Sequence, residues 1–483
     1  MRYATSIVWF RRDLRLSDHV ALARAADASD RIVCAFVLDP ELLRSARVGA
    51  PIVSFFFDAL AELRGALRAR GSDLAIMEGD AASELRDLAK RSGATALYYN
   101  LDYEPDASSR DVRVAEGLSV DGLEVHSCVD HTYYGAHETL KADRTPYTVF
   151  TPYKRRWLER CESDPRPPVD SVSLARKLVG AGALGATLDV PEPEAYGHRR
   201  SGNFQKGGER RAKRALDAFF GNAIDTYAER RNDPAADGTS HLSPHLRAGT
   251  IGIRTCVQAA LDLSRGGGTA AGASARVWLG ELIWRDFFHH ILANFPHVAH
   301  DPFVAAAKQL RYREPGAEWD AWCDGRTGYP IVDAAMRQLN TYGWMHNRLR
   351  MIVASFLTKD LLLDYRLGER YFEQHLADGD LASNNGGWQW SASTGTDAAP
   401  YFRVFNPILQ SEKIDPDGAF IRRMLPELAK LGGKAVHAPW TLAPLEAEAL
   451  GFRLGRDYPE PIVDHAAARL RAIAFFAPVL GAR

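Results

Sequence analysis

Thr5-Ser6-Ile7-Val8-Trp9-Phe10 is a short, mostly apolar run that breaks off into Arg11-Arg12-Asp13-Leu14-Arg15. Its length and its charged end are those of a buried strand. The same design returns in Ile32-Val33-Cys34-Ala35-Phe36-Val37-Leu38, in Asp73-Leu74-Ala75-Ile76-Met77 and in Ala96-Leu97-Tyr98-Tyr99. Between these runs, 53–70 and 81–92 place apolar residues at helical spacing. Short runs without polar alternation, separated by helices, predict a parallel sheet in an α/β domain, because crossover helices cover both of its faces. No Gly-x-Gly-x-x-Gly follows the first run, so the usual dinucleotide-binding start is not present.

Outward from there the rhythm changes. Residues 131–200 hold Pro165-Arg166-Pro167-Pro168, Pro191-Glu192-Pro193 and the glycines 180, 182 and 185, and read as a surface connector. From 201 onward helical spacing dominates, in 212–220, 254–263, 274–294, 331–340 and 344–364. The expected organisation is an α/β domain over 1–130, a connector over 131–200 and a larger all-α domain over 201–483. No internal repeat or low-complexity tail interrupts it.

The bulk composition excludes several classes. The chain has 483 residues, 46% hydrophobic and 25% charged, enough for a sizeable core and a large ligand. Residues 1–130 hold 16 basic and 21 acidic side chains, and the rest holds 44 and 40, so a polyanion is expected to meet the second part. Five scattered cysteines without Cys-x-x-Cys spacing argue for a reducing compartment, no zinc site and no disulfide framework. No stretch approaches the ~20 apolar residues of a membrane span. Arg11-Arg12 lacks the apolar region of a twin-arginine signal. A cytoplasmic monomer without an obligate protein partner is expected.

Eight of the ten tryptophans stand at or after position 278. In 277–287, Trp278, Glu281 and Arg285 share one helical face, with Trp284 beside Glu281. Two readings stand: a ligand wall in which rings stack and polar groups read edges, or a part-exposed helix with an internal Glu281–Arg285 salt bridge. In 343–351, Trp344, Asn347, Arg348 and Met351 fall on one face, again a ligand wall or a core helix with a polar edge. The run 378–390, Asp-Gly-Asp-Leu-Ala-Ser-Asn-Asn-Gly-Gly-Trp-Gln-Trp, reads as a glycine-rich loop that lets backbone approach a planar ligand. Its twelfth residue is Gln389 rather than Glu, so it is not a calcium loop. Upstream, Gly238-Thr239-Ser240-His241-Leu242-Ser243 is either an ordinary helix cap or a phosphate cradle.

Together these segments resemble the DNA photolyase/cryptochrome family along the whole chain. The resemblance starts at Trp9-Phe10-Arg11-Arg12-Asp13-Leu14-Arg15 and is densest from Gly328-Tyr329-Pro330 to Asn406-Pro407. Thr394-Gly395-Thr396-Asp397-Ala398-Ala399-Pro400-Tyr401-Phe402-Arg403 is its most specific run. The resemblance implies an α/β antenna domain and a helical domain holding FAD. It implies light-driven repair of cyclobutane pyrimidine dimers in UV-damaged DNA, by an electron from excited reduced FAD to a dimer flipped out of the duplex.

The resemblance places Tyr227, Thr239, Ser240, Leu242, Ser243, Trp278, Arg285, Trp344, Asn347, Arg350, Asp378, Asp380 and Asn384 at FAD-contacting positions, Asn384 near the flavin N5. It places Glu281, Trp284, Asn347, Arg348, Met351 and Trp390 around the dimer. Arg231 and Arg403 fall on positions near the phosphates of the damaged strand. Glu281 would bond a pyrimidine edge and Arg348 would stabilise transient negative charge.

Two departures stand out. The family's electron relay into FAD is three tryptophans; Trp388 and Trp322 match its inner and outer members, but the middle position is Tyr365. A slow or bypassed relay is expected, with Trp390 the nearest alternative in sequence. Asp106-Ala107 stands where some folate-antenna members carry Asn-Glu. A class III-like member with methenyltetrahydrofolate at a shifted site fits both departures. The alternatives are a cryptochrome photoreceptor, a (6-4) photoproduct enzyme and a passive flavin-containing DNA binder. Asn384, the retained Trp284 and Met351, and the end of the chain soon after 466–476 speak against the first. Asn347 and Met351, where histidines are expected, speak against the second.

Overall fold

The computed structural model describes residues 2–171, 176–183, 185, 187–202, 205–265 and 268–481. By backbone packing the chain forms two compact units. The first comprises Met1–Ala228, Ser240–Ala299 and Ala377–Ser383, and the second Glu229–Thr239, His300–Leu376 and Asn384–Arg483.

The first unit carries a five-stranded sheet: β1 (Tyr3–Phe10), β2 (Ser29–Leu38), β3 (Leu74–Glu78), β4 (Ala96–Asn100) and β5 (Glu124–Cys128). Its order is β3-β2-β1-β4-β5 and every pairing is parallel, with Ile7 opposite Val33 on one side and Leu97 on the other. Four of the strands coincide with the apolar runs. Helices α1 (Val20–Ala28), α2 (Ala50–Arg68), α3 (Ala81–Ser92) and α4 (Pro105–Val120) make the crossovers. Two apolar clusters lie on the two faces, one around Phe10, Phe57 and Leu60, the other around Trp9, Leu85 and Leu97. The carboxyl ends of the strands deliver Arg11, Arg12, Asp102, Asp130 and His131 to one edge, where open α/β sheets place their ligands.

Residues 131–200 contain a helix, α5 (Phe150–Ser163), whose Phe150, Tyr153, Trp157 and Cys161 form a buried strip. The remaining helices of this unit are α6 (Glu209–Asn222), α7 (Ser243–Ala248), α8 (Ile253–Arg265) and the long α9 (Ala270–Asn294).

The second unit is helical. It includes α10 (Ala317–Cys323), α11 (Pro330–Tyr342), α12 (Asn347–Ser355), a π-helical turn (Phe356–Asp360) and α13 (Tyr365–His375). Helix α14 (Leu381–Ser391) has residues in both units, and α15 (His465–Leu480) closes the described chain. The core is built on Trp322, Met336, Leu349, Phe356, Phe372 and Trp388. Among the described residues no helix is long and apolar enough to cross a membrane.

Two expectations are corrected. Residues 378–390 are not a loop: α14 forms because Asp380 Oδ1 accepts from Ser383 N at 3.0 Å and caps it. Trp344 does not share a helical face with Asn347, Arg348 and Met351, because Gly343 ends α11 in the left-handed region (φ 65°) and α12 starts only at Asn347.

Candidate functional site

In the first unit the centre of charge is a buried network around Asp380. Arg12, leaving β1, bonds Asp380 and Glu104. His131, three residues beyond β5, meets His289 of α9 at 3.1 Å between Nε2 atoms. Arg285 gives its guanidinium to the His131 carbonyl at 2.6 Å and to His131 Nε2 at 2.8 Å. Arg285 is therefore held from the sheet side. Arg247, at the end of α7, donates to the Gly379 carbonyl at 3.2 Å.

The electrostatics follow from that packing. Burial alone would raise the Asp380 carboxyl, but the charges of His289 and Arg12, with hydrogen bonds from His131 and His289, outweigh it and hold it well below the ordinary carboxylate range. Burial, then the charges of Arg285 and Arg12, push His131 well below its usual value, so it is neutral. His131, His289 and Asp380 have metal-ligand chemistry at metal-ligand spacing. Two guanidinium groups already occupy the polar atoms of that cluster, and a cation there would face their repulsion.

Tyr227 and Trp278 are buried against one ring, Phe219, at 5.4 and 5.2 Å between centroids. Ser240, Leu242 and Ser243 lead into α7, which has no side-chain cap, so the cap reading of this segment does not hold. On α9, Trp284 stacks on Phe150 at 3.6 Å with planes 9° apart, and Phe287 and Phe288 flank it at 5.6 and 5.5 Å. Glu281 is half-buried one turn away.

In the second unit, Asn384 Nδ2 donates to the Glu369 carbonyl at 3.0 Å, and Asn385 Nδ2 to the Glu369 carboxylate at 2.9 Å. Glu369 of α13 thus sets both amides of α14. An amide carries two N–H donors and a carbonyl, so this bond uses one of the two N–H groups of Asn384. Arg348 is clamped on Asn232 Oδ1 at 3.1 and 2.7 Å, and Arg350 Nε donates to the Met345 carbonyl at 2.9 Å. Asn347 is exposed and Met351 half-buried on α12. Thr239 and Arg231 are half-buried, and Arg403 is exposed.

The tryptophans line up differently from their order in sequence. Trp388 is buried against Gly368 of α13, where a side chain would collide with its ring. Trp322 reaches Trp388 directly, centroid to centroid 6.2 Å, and Trp319 stacks on Trp322 at 5.4 Å. Trp322, read as the outer member, is wholly buried beside the inner one, while Trp319 is half-buried. Tyr365 is also buried, and its hydroxyl meets no partner among the described residues. Trp390 sits two residues from Trp388 on a helix, about 200° around it, so its ring leaves by another face.

Sequence reasoning missed Arg12, His131, His289, Phe150, Glu369 and Asn232 as parts of these arrangements. Arg12 had a usable signal, since it lies at the carboxyl end of the first strand. The others are brought in by tertiary structure alone.

A family model described as DNA photolyase matches residues 6–171, and one described as the FAD binding domain of DNA photolyase matches residues 278–477. A deoxyribodipyrimidine photo-lyase of Salmonella typhimurium is 42% identical over 479 residues, 98% of this chain and 98% of that protein. The solved structure of a bacterial class III photolyase from Agrobacterium tumefaciens is 36% identical with a TM-score of 0.88, over 99% of this chain and 98% of that one. That of a Synechocystis cryptochrome is 30% identical with a TM-score of 0.89, over 98% and 100%. With the two models covering most of its length and such a relative matching end to end, the chain belongs to the DNA photolyase family.

Proposed function

We propose that the chain is a deoxyribodipyrimidine photo-lyase that uses light to split cyclobutane pyrimidine dimers in DNA. The observation that carries this reading is the 42% identity to the Salmonella enzyme over 98% of both chains. FAD is the cofactor, and when bound it supplies the light-excited electron donor. The residues fit it chemically. Thr239, Ser240, Ser243 and Arg285 offer donors for a diphosphate, and Tyr227, Leu242, Trp278 and Trp344 offer apolar surface. Asn347, Arg350, Asp378, Asp380 and Asn384 offer groups for ring edges. The anchored amide of Asn384 supports its assignment beside the flavin ring.

Trp284 and Trp390 are assigned to stack on the flipped dimer, with Met351 as a soft wall. Glu281 holds a pyrimidine edge, and Asn347 and Arg348 face the charge that develops on the dimer. Arg231 and Arg403 hold strand phosphates. For refilling the cofactor with electrons, Trp388 is the first donor and Trp322 the second, supported by their 6.2 Å separation. Tyr365 lies outside that column in this assignment. By function, 1–130 is the antenna domain, 131–200 the connector and 201–483 the catalytic domain. Methenyltetrahydrofolate is assigned as the antenna, in a cytoplasmic monomer.

The test is direct. A UV-irradiated thymine oligonucleotide is mixed with the reduced, FAD-loaded protein, and thymine absorbance is followed in light and in darkness. Recovery in light alone is expected, and no recovery in light overturns the reading. The cryptochrome similarity favours a signalling photoreceptor as the second reading, and the same absence of turnover would support it.

A further inference from the structure

Helices α5 and α9 meet in step within the first unit. Phe150 of α5 lies face to face on Trp284 of α9, centroids 3.6 Å apart. One turn on along α5 and one turn back along α9, a Cβ at Gly280 would stand 3.1 Å from Lys154 Nζ. Residues four apart share a helical face. Phe150 and Lys154 therefore form one strip, and Trp284 and Gly280 the strip it covers. The missing side chain at Gly280 is what lets the ammonium sit against α9.

The charges on α5 are not equivalent. Arg156 pairs with Glu159 at 3.4 Å, and Arg160 pairs with Glu138 and Asp164 at 3.0 and 3.1 Å. Lys154 and Arg155 make no ion pair among the described residues. An aromatic ring with one face closed, beside an uncompensated cation on the same strip, is the pattern that takes a base on the ring and a phosphate on the cation. Phe150 also restricts Trp284 to one ring plane before any ligand arrives, which lowers the ordering cost of stacking.

We propose that the Phe150–Lys154 strip of α5 is part of the lesion-binding surface. Phe150 is a positioning residue that fixes the plane of Trp284. Lys154 contacts a phosphate of the damaged strand. The inference rests on the assignment of Trp284 as the platform for the dimer.

The test uses the full FAD-loaded chain in darkness, with an oligonucleotide carrying one dimer and its undamaged twin, over a range of salt. Phe150→Leu keeps bulk but loses the stacked ring. It is expected to weaken damaged-DNA binding about two- to tenfold and to leave undamaged DNA unaffected. Phe150→Tyr restores affinity. Lys154→Gln is expected to weaken both DNAs alike and to lower the slope of log affinity against log salt by about 0.7–0.9. Parent-like damaged-DNA affinity in Phe150→Leu, with Trp284→Ala impaired, overturns the role of Phe150. An unchanged salt slope in Lys154→Gln overturns that of Lys154. If Trp284→Ala itself binds like the parent, the platform assignment falls and the Phe150 role falls with it, while the Lys154 arm still reads out.

Discussion

At the scale of single residues, the site turns on which groups are already committed. Glu281 stands on α9 one turn from Trp284, half-buried. If it holds a pyrimidine edge, Glu281→Ala should lower repair while the protein keeps its FAD absorbance; wild-type repair under identical light would remove the role. Asn384 is bound to the Glu369 carbonyl through one amide N–H, which fixes how its oxygen and second N–H present themselves. Asn384→Asp puts a negative charge where a neutral amide stood, and should change which flavin forms accumulate under light. An unchanged photoreduction spectrum would count against the placement. Residue types were readable in the sequence here, but partners were not. Arg285 reads equally as a mate for Glu281 or as part of a ligand wall. Its actual partner, His131, is 154 positions away and announces itself by no spacing.

At the scale of elements, β1 to β4 were legible because they are apolar on both faces. β5 was not: Glu-Val-His-Ser-Cys is an edge strand with mixed burial, and it has no apolar run to find. Helix α14 was misread for a sound reason. Its glycines, asparagines and serines are poor helix formers, and the Asp380 cap and the Asn385 and Asn384 bonds to Glu369 are what hold it helical. That correction changes the relay. Oxidation of Tyr365 must release a proton, and its buried hydroxyl meets no acceptor among the described residues. The Trp388–Trp322–Trp319 column needs no proton loss at each step. Trp322→Phe should therefore suppress photoreduction of the oxidised protein, while Tyr365→Phe and Trp390→Phe retain it. Transient absorption decides: loss in Tyr365→Phe with Trp322→Phe unaffected would restore the route through tyrosine. Repair by already reduced protein should survive both Trp322→Phe and Tyr365→Phe.

The π-helical turn of the second unit makes a separate prediction. Lys359 is wholly buried there, donates to Ser393 Oγ at 2.8 Å and lies 3.7 Å over the Phe476 ring. Burial pushes its amine down to about 7. The unfolded chain keeps a lysine near 10.4. Between those values the unfolded state holds the proton and the folded state does not, so stability rises with pH across the window, by up to about 1.4 kcal/mol per pH unit. Below the window both states are protonated and the folded one carries a buried charge. Lys359→Met should melt above the parent at neutral pH, and the difference should shrink towards pH 10. A constant difference between the two melting curves across that range would mean the amine is charged throughout.

At the scale of the whole molecule, the balance of charge bears on where a polyanion would bind. Residues 1–130 carry 16 basic against 21 acidic side chains, and the remainder 44 against 40. A net charge of −1 gives the chain as a whole no attraction for a polyanion, so binding has to come from local groups. Arg403 is exposed beside Phe402, itself 59% exposed, and Arg231 is half-buried in the same unit. If these hold phosphates, log affinity should fall linearly with log salt, and Arg403→Gln or Arg231→Gln should each reduce the slope by about 0.7–0.9. The loss should be equal for damaged and undamaged DNA, since a phosphate contact carries no information about the lesion. That equality separates these arginines from Trp284, whose removal should be felt only where a dimer is present. Affinity that stays level between low and moderate salt would contradict a phosphate-led footprint, and a variant that lost only its preference for damage would move that arginine from the strand to the dimer.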